Sequence, residues 1–360
     1  MKKALAIILA LLMVLAIVAG CGEAKPEESK EESKQESKEE SKEEKKDEDA
    51  AAGKQIAVCM GSINHPVHRI VQMGFVMKAE ELGMEGIICG LDEGSHQELI
   101  TKWESAVTNG AEGCLIWTGD DSCYDMMKGM KENGAYCVVP HFIHDYAETK
   151  DFIAKNISCV AATYGAAAAD AIVAELEKRG IKEGTIGVTQ NGANITENAA
   201  NDSFRAQMAK IAPQYKLADT VFEGPELVEA TAKVTGVIQG NQDTIVAGFG
   251  TTGGSPQSWA AAMKETGKTD LVVIGMDYTE VNIGHVKAGE IFAVVCQPLF
   301  PEAQESAQAL YDIFNGKDFT ASKADWFQEL EAPIAFKGGS GVNDIESYVE
   351  IVEQVKTYFA

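Results

Sequence analysis

Positive charge is scarce in this chain: 31 lysines and arginines stand against 55 aspartates and glutamates, a formal net charge of −24. A surface this acidic excludes nucleic acid and anionic lipid as natural partners. Long apolar runs are also missing. The one at residues 4–19 falls short of the roughly twenty residues that cross a bilayer. No Gly-x-Ser-x-Gly elbow is present, and no cysteine sits beside an obvious base, so hydrolytic chemistry has no footing. No two of the eight cysteines have the close spacing of a zinc motif. Apart from Cys21 they are odd in number, and Cys59, Cys89, Cys114 and Cys137 lie inside apolar runs. They read as small buried hydrophobes rather than a disulfide framework.

What is present begins with Lys2 and Lys3, the apolar stretch, and then Val18-Ala19-Gly20-Cys21. A basic start before an apolar stretch opens a secretory signal. The end of the segment resembles a bacterial lipobox, which implies loss of residues 1–20 and a diacylglyceryl group on Cys21, two buried acyl chains being enough for stable anchoring. Residues 21–53 follow as a charged linker. A Glu-Glu-Ser-Lys tetrad recurs through residues 27–42 with no apolar residue to join a core, so it reads as a solvated tether.

From Lys54 onward, short apolar runs alternate with amphipathic stretches. Residues 56–60, 86–91, 113–117 and 136–139 read as buried strands, with helical periodicity at 67–82, 97–109 and 121–133. Asn109-Gly110 and Asn133-Gly134 look like helix C-terminal caps. A second series has strands at 185–189, 217–222, 244–247, 271–276 and 291–295, with helices near 161–179, 197–211, 227–239, 257–266 and 281–287. Apolar strands joined by helices make parallel sheets covered on both faces. The expected fold class is therefore α/β, two doubly wound parallel-sheet lobes in tandem. Ligands of such sheets sit beyond the carboxyl ends of the strands.

The loop after the first strand carries Asn64-His65-Pro66. Later come Gly275-Met276-Asp277 at the end of a strand, Gln297 closing the next, the Asn315-Gly316-Lys317 turn, and a final segment from Val342 through Asn343-Asp344 to Tyr348. In this order, behind a lipobox, the pieces resemble the type I periplasmic sugar-binding proteins, the ribose- and galactose-binding group related to the LacI repressors. The resemblance implies two lobes joined by three crossings, near Asn156, Gln297 and Asp325. It divides the chain into a first lobe of 54–155 plus 298–325 and a second of 156–297 plus 326–360. It also implies a polar solute enclosed between them, with Asp277 and Gln297 meeting vicinal hydroxyls. Other positions depart from the family pattern: His141 and Phe142 replace its Asp-Arg pair, Asn198 replaces an arginine, and Val67 and His68 replace aromatics.

Further candidates lie at strand ends: Trp117 as an apolar face for a sugar ring, Gln190 with Asn191, and Thr251 or Thr252. The implied function is a lipid-anchored extracytoplasmic solute-binding protein that delivers a sugar or similar small molecule to an ABC permease. It is expected to be monomeric, non-enzymatic and free of cofactor and metal. A tethered ligand sensor for a membrane receptor or kinase is the alternative. Two enzyme-like features compete with it. Gly248-Phe249-Gly250-Thr251-Thr252-Gly253 outlines a dinucleotide fingerprint, yet it lies deep in the second series, lacks a phosphate-loop lysine, and is explained by a tight turn. The pairs His65/His68 and His141/His144 suggest zinc or nickel, but Pro66 interrupts the first pair and neither lies in a long helix.

Overall fold

The computed structural model describes residues 49–92 and 95–360. The signal segment, the lipidation candidate Cys21 and the tetrad repeats lie outside the described residues. Within them, no helix is long and apolar enough to cross a membrane. The linker boundary expected at 53 moves back, because Ala51 is fully buried and Asp49 accepts hydrogen bonds from Asn315 Nδ2 (3.1 Å) and the Tyr311 hydroxyl (3.2 Å).

The first lobe alternates β1 (Gln55–Met60), α1 (Pro66–Glu81), β2 (Glu85–Gly90), α2 (His96–Thr108), β3 (Gly113–Ile116), α3 (Tyr124–Glu132), β4 (Tyr136–Pro140), a short α4 (Tyr146–Thr149) and β5 (Ile153–Ser158). Local chemistry sets several boundaries. Pro66 occupies the first turn of α1, where a missing N–H costs nothing, and the His65 imidazole accepts the Val67 N–H at 3.3 Å. Ser95 and Glu98 form a reciprocal capping box on α2. Asn109 and Asn133 cap α2 and α3, and Gly110 and Gly134 behind them take positive φ.

The second lobe follows as α5 (Ala161–Lys178), β6 (Gly184–Gln190), α6 (Ile195–Ile211), β7 (Tyr215–Phe222), α7 (Leu227–Gly240), β8 (Ile245–Gly250), α8 (Ser255–Thr266), β9 (Val272–Met276), α9 (Glu280–Ala288) and β10 (Ala293–Val295). The chain then returns to the first lobe with α10 (Leu299–Phe314), α11 (Lys323–Trp326) and β11 (Phe327–Glu329). It finishes through β12 (Ile334–Phe336) and α12 (Val349–Tyr358).

The two sheets have the same order, β2-β1-β3-β4-β5-β11 and β7-β6-β8-β9-β10-β12. Their pairings are parallel except for β10 with β12. Apolar clusters cover both faces of each sheet, anchored by the fully buried Trp103, Trp259 and Trp326.

The chain passes between the sheets three times. Two of these crossings lie beyond their expected positions. Ser158 still belongs to β5, so the first crossing follows it instead of sitting at Asn156, and Asn156 staples the β4 loop through Val139 O (2.6 Å) and Phe142 O (2.7 Å). The last crossing falls at 330–333 rather than at Asp325. Trp326, buried and donating to Ile153 O at 2.7 Å, lays β11 alongside β5 first. The last helix, α12, packs against both α1 and α9.

One expectation about the cysteines fails. Cys59 and Cys89 face each other in the β1–β2 register and form a disulfide with a Cα–Cα distance of 4.5 Å. Alternating apolar strands place residues by face, but which two strands are neighbours is a tertiary fact. Cys114, Cys123, Cys137, Cys159 and Cys296 are free and buried.

Candidate functional site

The carboxyl ends of the two sheets face a cleft of about 710 Å³, lined from the first lobe by Asn64, His65, Trp117 and His141 and from the second by Asn191, Thr252, Asp277 and Gln297. It continues into a second recess of about 630 Å³ that shares Trp117, His141, Thr252 and Gln297 and adds Phe142 and Thr251. Eight of the candidates therefore meet in the main cleft and two in its extension. His68, Gln190 and Asn198 stand behind it.

Two side chains occupy matching places. His141 follows β4 and Asp277 follows β9, the fourth strand of each sheet, and they are the two non-glycine residues with positive φ among the described residues (71° and 68°). Such backbone is costly and persists where surrounding contacts enforce it. Here each amide donates to the next strand at 2.8 Å, His141 to Ile157 O and Asp277 to Val295 O. Asn282, fully buried, donates to Met276 O (3.0 Å) and Asp277 O (3.1 Å) and so fixes the second of these turns.

The two differ in charge. Asp277 is nearly buried, its Oδ1 has no hydrogen-bond partner, and burial pushes its carboxyl up to about 6, with His141 opposing the shift and Glu302 and Glu197 adding to it. Burial works against charging the His141 imidazole, yet the carboxylate of Glu302 outweighs it and the net shift is upward. Glu302, on α10 and wholly inaccessible, meets His141 Nδ1 at 3.2 Å and accepts the Cys159 N–H at 3.3 Å. One carboxylate thus joins the β4 loop to the first crossing. Trp117 stacks on a face of the His141 ring, with ring centroids 4.4 Å apart and planes 19° off parallel, and Phe142 meets both rings edge-on.

The other histidines separate. His68 donates from Nδ1 to Ser62 O at 2.7 Å, and burial lowers it to about 4, so it is a neutral strut against Trp117. His65 lines the cleft and is also lowered by burial. His144 donates from Nε2 to Thr118 O and accepts the Tyr124 hydroxyl at Nδ1, both at 3.0 Å, which ties it into the first lobe. Four imidazoles therefore do not converge. Among the described residues no group of His, Cys, Asp and Glu is placed to hold a metal ion.

In the second lobe, Gln190 uses its amide on Asn198 (3.0 Å) and Asn201 (2.5 Å), while Asn191 leaves a buried, unpartnered Oδ1 in the cleft. Thr251 donates to Glu197 at 2.7 Å, whereas Thr252 lines both parts of the cleft. The glycine-rich turn makes room for side chains. A Cβ at Gly248 would lie 2.5 Å from the Trp259 ring, one at Gly250 would meet Ser255 at 2.2 Å, and one at Gly253 would lie 2.5 Å from Asp277 Oδ2.

Sequence reasoning missed Glu302, Glu223, Glu197 and Arg69. Glu302 had a signal: it occupies the buried stripe of α10 with Leu299, Ala303 and Ser306, and a carboxylate on an apolar stripe needs a partner. Glu223, buried at the cleft and pushed up by burial, holds the start of α8 through Ser255 and Ser258.

Comparison with known proteins agrees with this architecture. A curated D-apiose import binding protein from Actinobacillus succinogenes is 26% identical over 270 residues, covering 70% of this chain and 79% of its own. Among solved structures, an arabinose-binding protein from Geobacillus stearothermophilus superposes with a TM-score of 0.69 at 16% identity, covering 86% of this chain and 100% of its own. An ABC transporter solute-binding protein from Agrobacterium vitis, bound with α-D-tagatopyranose, gives 0.71 at 16% identity, with 82% and 99% covered. At such identities the structures speak for the fold. The family described as periplasmic binding protein domain matches residues 56–318, and with most of the chain inside that match, this chain belongs to the periplasmic binding proteins.

Proposed function

We propose that the chain is an extracytoplasmic solute-binding protein that captures a sugar or a similarly hydroxyl-rich small molecule between its lobes and hands it to an ABC importer. The observation that carries this is a pair of buried acceptors without partners, Asp277 Oδ1 and Asn191 Oδ1, lining a cleft between two sheets. Buried polar atoms are seldom left unpaired, and a guest that brings hydroxyl donors satisfies both. Import of D-apiose by a curated relative and the tagatose bound to a structural neighbour support the same solute class.

The mechanism is capture without bond making. Asp277, Asn191, Thr252 and Gln297 grip the guest from the second lobe, and Asn64, His65, Trp117 and His141 close on it from the first, the indole offering a flat face to the C–H side of a ring. A guest touching both sets only when the lobes are shut favours the shut form by that difference. Cys21 carries the lipid that keeps the protein at the membrane beside its permease.

The test is thermal unfolding against a library of monosaccharides, polyols and nucleosides. A ligand that binds only the folded protein raises its stability by RT ln(1 + [L]/Kd), about 2.7 kcal/mol at a hundred times Kd. If no polar solute in the library moves the transition, the proposal fails.

A further inference from the structure

The main cleft does not end at its polar groups. Away from Asp277 and His141 it runs between α1, α7, α9 and α12, where Val67, Ile70, Leu227, Val281, Val352 and Val355 form its walls. Ile70, Val352 and Val355 are buried at the base, while Leu227 is 47% exposed and Val281 51% exposed at the mouth. Exposed large apolar side chains lining a cavity mark a surface that an apolar group covers. One buried donor in this annex has no partner. Arg69 gives its Nη2 to Asn64 Oδ1 at 2.9 Å and lies over the Phe359 ring at 5.1 Å, but its buried Nε has no partner. Lys356, by contrast, is already held by Glu280 (2.5 Å) and Glu353 (2.9 Å).

From this division we infer that the preferred guest is a glycoside: a sugar head among the polar groups, joined to an apolar or aromatic aglycone that fills the annex and offers an acceptor to the Arg69 guanidinium. The inference rests on the solute-capture reading above and narrows its substrate class. A cleft of about 710 Å³ lies inside the range of about 300–1,000 Å³ typical of drug-sized ligands, and a single sugar ring leaves the annex empty.

The test compares methyl and p-nitrophenyl β-glycosides of glucose, galactose, xylose and arabinose by titration calorimetry on the whole folded protein. For at least one sugar, the aryl glycoside is expected to bind at least about tenfold tighter than the methyl glycoside, in line with burying an aromatic ring. Leu227→Ser and Val281→Ser, at half-exposed positions that tolerate a polar group, are expected to shrink that ratio to about threefold or less. Equal affinity for methyl and aryl partners, tighter binding of the methyl compound, or a ratio untouched by both substitutions overturns the inference. Failure of the wider solute-capture reading looks different, since then no monosaccharide, polyol, nucleoside or glycoside stabilises the protein.

Discussion

Asp277 joins two unfavourable conditions, a left-handed backbone and a buried carboxyl raised to about 6 by that burial. Ionising it in the folded protein is harder than in the unfolded chain. Its contribution to the stability of the empty protein therefore grows as pH falls through about 6 and is lost as pH rises through it. His141, also raised, acts in the same direction. Binding runs the opposite way. Hydroxyl donors prefer the ionised carboxylate, so affinity is expected to weaken below about pH 6, by up to roughly tenfold per unit, as read by calorimetry across that range. Asp277→Asn is expected to flatten the profile and weaken binding by about 1.5–3 kcal/mol, the worth of a charged hydrogen bond. Glu302→Gln leaves His141 without its counter-charge, and urea denaturation is expected to show a loss of about 3–5 kcal/mol. Asp277 was legible in the sequence because a carboxyl directly after an apolar strand stands out. The pairing of Glu302 with a histidine 161 positions earlier was not, since only the fold brings α10 against the β4 loop.

Among the elements, the disulfide between β1 and β2 locks the strand that leads into the Asn64–His65 loop. It closes a separation of 30 residues, and its reduction is expected to lower stability by about 2–4 kcal/mol in denaturation with and without reductant. The remaining thiols behave differently. Burial pushes Cys114 up to about 12 and raises Cys137, Cys159 and Cys296 as well, so these four thiols are expected to show no rapid reaction with a disulfide reagent until the protein unfolds, whereas Cys123, against the sequence expectation, has a base beside it, His96 Nε2 at 3.0 Å from its Sγ. Most of the central strands announced themselves as apolar runs of the right length. Three others did not: β11 and β12 have three residues each, too few for a periodic signal, and β5 carries Lys155 and Asn156 within it. Those omissions account for the misplaced last crossing, because the partner strand and not the local sequence decides where β11 belongs.

At the scale of the whole molecule, closing the lobes on a guest is expected to reduce the radius of gyration in small-angle scattering, together with the rise in melting temperature. A ligand that stabilises without compaction would show that it touches one lobe alone. On the lipid-anchor proposal, Cys21→Ser is expected to abolish incorporation of labelled fatty acid into the protein, as read by metabolic labelling. The α/β architecture was readable from alternation and cap signals, as was the doubling of the sheet. Which strand ends face one another across the cleft was not, since this depends on the three crossings and on α10 and β11 returning to the first sheet.

The repeated strand order has a further effect on how a guest lies. Two halves built alike would offer a symmetric grip, indifferent to which end of a molecule enters first. Here the equivalent fourth-strand positions hold an imidazole on one side and a carboxyl on the other, so the repeated frame carries a polarity from proton giver to proton taker. A sugar has no such symmetry of its own, and that polarity selects one heading for it.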